Sequence, residues 1–274
     1  MSIHTKIIAF LLPLLLSANA APTRAQCTAQ NTAFDAGEFI AYNLYYNWKF
    51  IWVKAGTASL STVQSHYGGR EAMRTSLITR GNDRADNFFV MRDTILTYFT
   101  PSLTPLYYRK GAREGKRYVV DEVLFRYDAS GVQHLDLFRQ KNSGERVKKS
   151  VTPDECAYDM LTMFFRIRSL DIASWNVGHE HLFPMAEGRE VTVTKLIYKG
   201  KETVKGDNGK RYRCLVLSYM EPHDGGYKEI VRFYVTDDKN HIPVRLDMYL
   251  RFGAAKAFLT AAKGLRHESS AVVE

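Results

Sequence analysis

The sequence has 274 residues, a formal net charge of +9 at pH 7, 45% hydrophobic residues and 24% charged residues. A chain of this length can bury a core of its own, as one large domain or two small ones. Its composition is that of a globular protein, which excludes a disordered, collagen-like or coiled-coil chain. Three cysteines are too few for a disulfide-dense miniprotein. None of these properties points to a reaction.

The first residues have the features of a signal peptide. Lys6 precedes an apolar run over residues 7–16, and Ala18-Asn19-Ala20 gives the small-x-small pattern that signal peptidase recognises. The run is shorter than the roughly 20 apolar residues that span a bilayer. We therefore predict that residues 1–20 are a signal peptide and that the protein is exported to the periplasm or cell envelope. No transmembrane segment is expected after cleavage, and export argues against nucleic acid as a partner.

The cysteines are Cys27, Cys156 and Cys214. In an oxidising compartment an odd count favours one disulfide and one free thiol. Residues 21–36 are predicted to form a flexible leader, so Cys27 is the expected free thiol. We predict a disulfide between Cys156 and Cys214, and the alternative is that both are reduced and buried.

Alternation of apolar and polar residues with a period of two dominates after the leader, and this pattern indicates half-buried antiparallel strands. The clearest case is Val244–Arg251, where Val, Leu, Met and Leu alternate with Arg, Asp, Tyr and Arg. The Asp- and Asn-rich segment Thr236–Asn240 predicts a hairpin turn before it. The other predicted strands, in chain order, are Ile40–Asn47, Trp48–Gln64, Glu71–Arg80, Leu96–Thr100, Leu106–Arg113, Tyr118–Tyr127, Gln133–Arg139, Thr192–Gly200, Tyr212–Tyr219 and Glu229–Val235.

Two segments are predicted to be helical. One is Ala85–Met91, and the stronger is Pro153–Ser169, where Asp154 can cap a broad apolar stripe. The segment Ala254–Leu265 permits a helix as well. We expect it to pack on the sheet.

These elements predict a mainly β fold. A single β-rich domain over residues 37–260 would form a large curved antiparallel sheet, half-barrel-like, with one or two helices packed on it. A C-terminal tail over residues 261–274 would follow. The curved sheet could hold a cavity on one face.

Strong catalytic motifs are absent from the sequence: there is no Gly-x-Ser-x-Gly elbow and no His-Glu-x-x-His helix. His179-Glu180-His181 imitates a metal site, but it is interpreted as a loop without a third ligand. No catalytic residue, metal or cofactor is predicted, and a non-enzymatic role is favoured. A glycoside-hydrolase-type carboxylate pair is the enzymatic alternative, with candidates Asp93, Asp121, Glu122 and Asp159.

The most unusual stretch is the aromatic segment Tyr42–Trp52. On one continuous strand, Tyr42, Tyr46, Trp48, Phe50 and Trp52 would share a face. Such a strip can line a lipid cavity or stack on sugar rings, because Tyr and Trp combine apolar area with a polar group. The alternative is that these side chains belong to the core of the sheet.

Several segments resemble the bacterial domain-of-unknown-function 3108 family, in its Bacteroidetes branch. They are Tyr45–Gly56, Arg92–Thr94, Leu106–Gly115, Cys156–Leu161 and Thr236–Arg245. The resemblance covers roughly residues 34–260 and implies an exported bacterial protein with no established activity, so it assigns no site residue. One hairpin and the general architecture are also similar to periplasmic lipoprotein carriers, which hold acyl chains in a curved sheet.

The leading hypothesis is an envelope protein that binds an apolar or amphipathic, lipid-like ligand on the curved sheet. A concave face filled by the protein's own helix, with no pocket left, would contradict it. The alternatives are a glycan-binding or glycan-hydrolysing envelope protein and a purely structural envelope protein. An envelope protein could also be a partner. The candidate ligand residues are Tyr46, Trp48, Phe50 and Trp52 for the apolar wall, and Arg92, Arg109 and Arg245 for an anionic head group.

Overall fold

The computed structural model describes residues 27–48, 51–83, 90–250 and 253–273. In these residues it contains one α-helix, α1 (Met160–Arg168), a 3-10 turn (Ile172–Ser174) and fifteen β-strands. The strands are β1 (Phe39–Trp48), β2 (Ile51–Tyr67), β3 (Arg70–Gly81), β4 (Met91–Phe99), β5 (Pro105–Glu114), β6 (Arg117–Tyr127), β7 (Gln133–Gln140), β8 (Arg146–Val151), β9 (Glu180–Glu187), β10 (Glu190–Lys205), β11 (Arg211–His223), β12 (Gly226–Thr236), β13 (Pro243–Tyr249), β14 (Ala254–Lys263) and β15 (Val272–Val273).

All the strands belong to one antiparallel sheet, and the predicted fold class is confirmed. Strands β1 to β8 form one meander and β9 to β14 a second, and the two join where β1 pairs with β14. The helix α1 lies in the chain between the two meanders. Strands β8 and β9 are therefore the ends of the sheet, and β15 is an addition that pairs with β11.

The sheet curls around α1. The helix contributes Leu161 and Phe165 to a core that includes Leu44 of β1, Tyr108 of β5 and Leu137 of β7. Strands far apart in the pairing order thus meet on a single helix, and we call the face that packs on α1 the inner face. The opposite face of the sheet is the outer face.

The two ends of the curled sheet come close together without joining. Strand β9 contacts β6, and a side chain at Gly188, just after β9, would clash with the carboxylate of Asp121 on β6. The chain before α1 connects the two ends: Gln133 of β7 bonds both backbone groups of Ala157, and Tyr158 forms a parallel bridge to Met185 of β9.

Helix α1 begins later than predicted. The prediction was Pro153–Ser169 with Asp154 as the cap, but the N-cap is Asp159, whose side chain accepts hydrogen bonds from the backbone N–H groups of Leu161 and Thr162. The physical reason is that the preceding residues, 157 and 158, are held in bridges to β7 and β9 and are not free to join a helix.

The predicted disulfide is wrong in its pairing. Cys156 bonds Cys27, with a Cα–Cα distance of 5.4 Å. Cys214 is a free, fully buried thiol, and burial raises its pKa to about 12. The prediction paired Cys156 with Cys214 because Cys27 was expected to lie in a flexible leader outside the fold.

The structure instead packs the described part of that leader into the core. Phe34 is fully buried, and its ring centroid lies 4.2 Å from that of Phe165 on α1. At the other end of the chain, Ala271 is fully buried and β15 pairs with β11. Both flanking segments therefore contribute residues to the sheet or its core.

Two further expectations differ from the structure, and a third falls mostly on residues that the structure does not describe. Ala254–Leu265, which permits a helix, forms β14, because pairing with both β1 and β13 satisfies its backbone groups and overrides helix propensity. His179-Glu180-His181 enters β9 at Glu180 and is not wholly a loop. The predicted helix Ala85–Met91 lies mostly outside the described residues, and its last residue begins β4.

Candidate functional site

The aromatic segment is divided between the two faces of the sheet. Trp48 and Ile51 face each other across a hairpin end, so the segment is not one continuous strand. Tyr42 and Leu44 of β1 face the core. Tyr46 is an even number of residues further along the same strand, so its side chain lies on the same face. Trp52 lies opposite Asn47, on the outer face, with Lys256 Nζ 4.5 Å from its ring. The structure does not describe the Trp48 side chain, and Phe50 is outside the described residues.

The three candidate arginines all lie on the outer face, where Arg109 and Arg245 have carboxylate partners. Arg109 Nε lies 4.0 Å from Glu122 Oε1. Arg245 donates to both carboxylate oxygens of Asp247. Arg92 is exposed on β4. The structure therefore separates these arginines from Tyr46, and the seven candidate residues do not form one site.

The four carboxylates considered for hydrolysis are also dispersed. Arg139 binds Asp121 through two hydrogen bonds, Nε to Oδ1 at 2.6 Å and Nη2 to Oδ2 at 2.7 Å. Glu122 is the next residue on β6 and faces the opposite side, where it accepts from Tyr107 Oη at 2.6 Å. Asp159 caps α1. Of the predicted carboxylates, only Asp93 has an oxygen, Oδ1, that is buried with no hydrogen-bond partner in the part of the chain that is described.

Asp159 gives a pH-dependent prediction. Burial raises its pKa from 3.8 to about 6, despite hydrogen bonds from Thr162 and Thr97. Because the folded state then holds this proton more tightly than the unfolded chain, stability is lost as the pH rises from 3.8 to about 6. Relative to Asp159→Asn, wild type should lose up to about 3 kcal/mol of unfolding free energy across this window.

The measurement is urea unfolding of wild type and Asp159→Asn at a series of pH values. The matched control is Asp154→Asn, at an exposed position before the helix. The difference in unfolding free energy between Asp154→Asn and wild type should stay constant with pH. Parallel stability curves for wild type and Asp159→Asn would contradict the prediction.

One row of the inner face is only half-buried. Register places Tyr219 opposite Val231, Val231 opposite Met248, Met248 opposite Ala255, and Ala255 opposite Tyr46. We call these five residues the mouth row. All five are partly exposed.

The row behind the mouth row, further into the sheet, is more deeply buried. It includes Leu217, Ala257 and Leu44, which are all buried. The core around α1 thus fills the middle of the inner face, and the inner face opens at the mouth row. The predicted concave face is partly filled by the protein's own helix and partly accessible.

Titratable groups lie at one end of the mouth row and elsewhere on the inner face. At one end, Tyr219 Oη donates to Glu221 Oε1 at 3.1 Å. Burial, together with the nearby charge of Glu187, raises the pKa of Glu221. Elsewhere on the inner face, Asp93 of β4 is opposite Thr79, which is opposite Ala58 of the core, and burial and the charge of Glu114 raise the pKa of Asp93. The positive charge of Lys110 on β5 opposes the rise in both pKa values.

Two buried or half-buried groups near this cluster have unused hydrogen-bonding capacity. The Tyr108 side chain is fully buried, and its hydroxyl has no hydrogen-bond partner among the described residues. Burial and the charge of Glu187 raise its pKa well above the usual value. Lys110 is half-buried, and it forms no ion pair within the described ranges. Unpaired polar groups of this kind are typical of a ligand site.

Cavities occur along β3 and β4 and at the far end of the sheet. The first, of about 510 Å³, is lined by Ile78, Thr79, Arg80, Gly81, Asp83, Arg92, Asp93 and Thr94. The second, of about 310 Å³, lies against β6, β7 and β8 and includes Asp128, His134 and Thr152.

The histidine motif of β9 is engaged in ring stacking. The rings of His179 and His181 lie 4.4 and 5.8 Å from that of Trp175, centroid to centroid. No cluster of three or more His, Cys, Asp or Glu side chains that could hold a metal ion occurs in the described residues. In the same part of the chain, no helix is long and apolar enough to cross a membrane.

Sequence reasoning did not single out the mouth row or its polar neighbours. Met248 was on the apolar side of the predicted strand Val244–Arg251, and Val231 was in the alternating segment Glu229–Val235. Their alternation showed that they shared a face with the core but not that this face opens to solvent. Lys110 and Glu221 carry no local motif, because only the curl of the sheet brings them together.

A protein-family model described as "Protein of unknown function (DUF3108)" matches residues 41–260, most of the chain. The chain belongs to this family. The resemblance inferred from the sequence is thus confirmed, and membership adds no known activity. No curated protein matches the chain.

Among solved structures, the chain is similar to the crystal structure of a beta-barrel-like protein of domain of unknown function DUF1849 from Brucella abortus. The TM-score is 0.52 at 11% sequence identity, and the match covers 84% of this chain and 98% of that chain. At this identity the similarity concerns the fold alone, and it extends over almost the whole of the other protein.

Proposed function

We propose that this protein is an exported protein of the bacterial periplasm or cell envelope that binds an apolar or amphipathic ligand at the mouth row. The observation that carries the proposal is a half-buried row of mainly apolar side chains with the Tyr219–Glu221 hydrogen bond at one of its ends. Ligand sites of small amphiphiles combine such an apolar wall with a few convergent polar groups.

The two parts of the site suit the two parts of an amphiphile. Val231, Met248 and Ala255 present continuous apolar surface, because they are neighbours in register on three adjacent strands. Lys110 has no ion-pair partner in the described residues, so its ammonium is available to an anionic or hydrogen-bond-accepting head group. Glu221 and Asp93, with their raised pKa values, can donate a proton in a hydrogen bond when they are neutral.

Two observations support export. The pattern of Lys6, the apolar run and Ala18-Asn19-Ala20 is typical of a signal peptide, although residues 1–20 lie outside the described part of the chain. The disulfide between Cys27 and Cys156 is of a kind that persists in oxidising compartments such as the periplasm.

Binding of a fluorescent fatty-acid probe tests the site. Met248→Gln keeps the length of the side chain but makes the mouth row polar, so it should weaken probe binding about 10-fold. Lys110→Met should weaken binding of an anionic probe and leave a neutral one unaffected. Leu182→Gln is the matched control, since Leu182 is an exposed apolar residue of β9 outside the row, and it should bind like wild type. Wild type that binds no probe, or equal binding by Met248→Gln and Leu182→Gln, would overturn the proposal.

A further inference from the structure

Two hairpin ends lie side by side at one rim of the sheet. Strand β1 lies between β2 and β14, and Tyr46 of β1 is opposite both Val53 and Ala255. The end of the β1–β2 hairpin is therefore adjacent to the end of the β13–β14 hairpin. We call the exposed apolar residues of the two ends the apolar tip, and they are Ile51, Trp52, Val53, Tyr249 and Leu250.

The apolar tip is unusually exposed for side chains of this type. Ile51 is 66% exposed and Leu250 is 48% exposed, and the side chains of the other three residues are also exposed. Single exposed apolar residues are ordinary, whereas a group of them on two neighbouring hairpin ends marks an interaction surface.

The charge of the two hairpin ends has one sign. In the sequence, residues 46–56 and 249–256 contain Lys49, Lys54, Arg251 and Lys256 and no Asp or Glu. In the structure, Lys256 Nζ lies 4.5 Å from the ring of Trp52, so a cation sits against the aromatic part of the tip. The acidic residues nearest to the tip, Asp247 and Glu229, bind Arg245 and Arg232. The remaining charge at the tip is therefore basic, and apolar side chains beside it are complementary to a lipid surface with apolar chains and anionic head groups.

We propose that the apolar tip docks on the surface of an anionic phospholipid bilayer. Ile51, Val53 and Leu250 would enter the boundary between head groups and acyl chains. Trp52 and Tyr249 would lie at the level of the head groups, which suits rings with both an apolar body and a polar group. Lys54 and Lys256 would contact lipid phosphates.

Docking at this position would also place the mouth row close to the lipid. Tyr249 of the tip directly follows Met248 of the mouth row, and Val53 of the tip is opposite Tyr46. Where the proposed ligand site exists, an amphiphile could pass between bilayer and protein over a short path. The docking itself does not depend on that site.

Vesicle co-sedimentation tests the docking. Wild type should sediment with vesicles of mixed phosphatidylcholine and phosphatidylglycerol, less with phosphatidylcholine alone, and less as salt is raised. The double variant Ile51→Asp/Leu250→Asp should lose at least about 10-fold in vesicle affinity. The matched control is Val177→Asp/Leu182→Asp, at residues that are 71% and 56% exposed elsewhere on the protein, and it should bind like wild type.

The outcomes are distinct. Wild type that does not bind phosphatidylglycerol vesicles, or a tip variant that binds as well as wild type, would overturn the docking. A wild-type dimer in size-exclusion chromatography, converted to a monomer by the tip variant and without vesicle binding, would assign the tip to a second copy of the chain and also overturn it. Probe binding by the tip variant is measured in parallel. In the tip variant, intact probe binding with lost vesicle binding supports the docking independently of the ligand site. Lost probe binding with intact vesicle binding overturns the docking.

Discussion

Replacing Cys27 with Ser should lower the free energy of unfolding by about 2–5 kcal/mol. The disulfide to Cys156 closes a loop with a sequence separation of 129 residues, so its loss frees a long segment of the unfolded chain. The bond also ties the N-terminal segment, with buried Phe34, to the residues just before Ala157 and Tyr158, which bridge β7 and β9. Urea unfolding followed by circular dichroism measures the change.

Three controls isolate the disulfide. Cys156→Ser and the double variant Cys27→Ser/Cys156→Ser should lose the same stability as Cys27→Ser, because each removes one and the same bond. A thiol reductant should destabilise wild type to the level of these variants and leave the variants unchanged. Stability that is equal in wild type and Cys27→Ser would contradict the assigned pairing, and so would a reductant that still destabilises the double variant.

Replacing Arg168 with Met should cost about 3–5 kcal/mol. Arg168 and Glu38 form an ion pair in which both side chains are only 1% exposed. The guanidinium donates to both Glu38 oxygens, at 2.6 and 2.7 Å, and through Nε to the carbonyl oxygen of Asn240 at 3.1 Å. Removing the arginine leaves the Glu38 carboxylate buried without its counter-charge, and that penalty accounts for most of the expected loss.

A double variant separates the energy of the ion pair from the cost of leaving the Glu38 carboxylate buried without a partner. Arg168→Met/Glu38→Gln should be more stable than Arg168→Met alone, because no buried charge remains. The matched control is Arg146→Met, which breaks the exposed contact of Arg146 with Glu122 and should cost less than about 1 kcal/mol. A loss for Arg168→Met no larger than that control would contradict the buried pair, and so would a double variant less stable than the single one.

The sequence predicts the strands well wherever alternation is regular and turns are marked. Val244–Arg251 and the Asp-rich turn before it correspond closely to β13 and its hairpin. Failures occur where pairing outweighs local preference. Ala254–Leu265 is composed of good helix formers, but its position between β1 and β13 makes it a strand. The shared face of the aromatic segment depended on one continuous strand, and the hairpin end at Trp48 and Ile51 that interrupts it contains no Gly, Pro, Asn or Asp between its strands.

The candidate site could be anticipated only in its apolar part. Met248 and Val231 were identifiable as apolar positions of alternating strands, but alternation does not show that these positions are partly exposed in the fold. Lys110 and Glu221 are brought together by the curl of the sheet, which no local pattern specifies. The arginines Arg92, Arg109 and Arg245 were expected near a head group. Strand parity places them on the outer face instead.

The central claim is that the mouth row holds an amphiphile, and native mass spectrometry tests it most directly. The protein is purified without detergent from its own envelope fraction, and bound molecules are extracted into organic solvent and identified. The account predicts a mass above that of the polypeptide by one lipid-like molecule, and loss of that molecule in Met248→Gln but not in Leu182→Gln. A mass equal to that of the polypeptide alone, with no amphiphile in the extract, would contradict it.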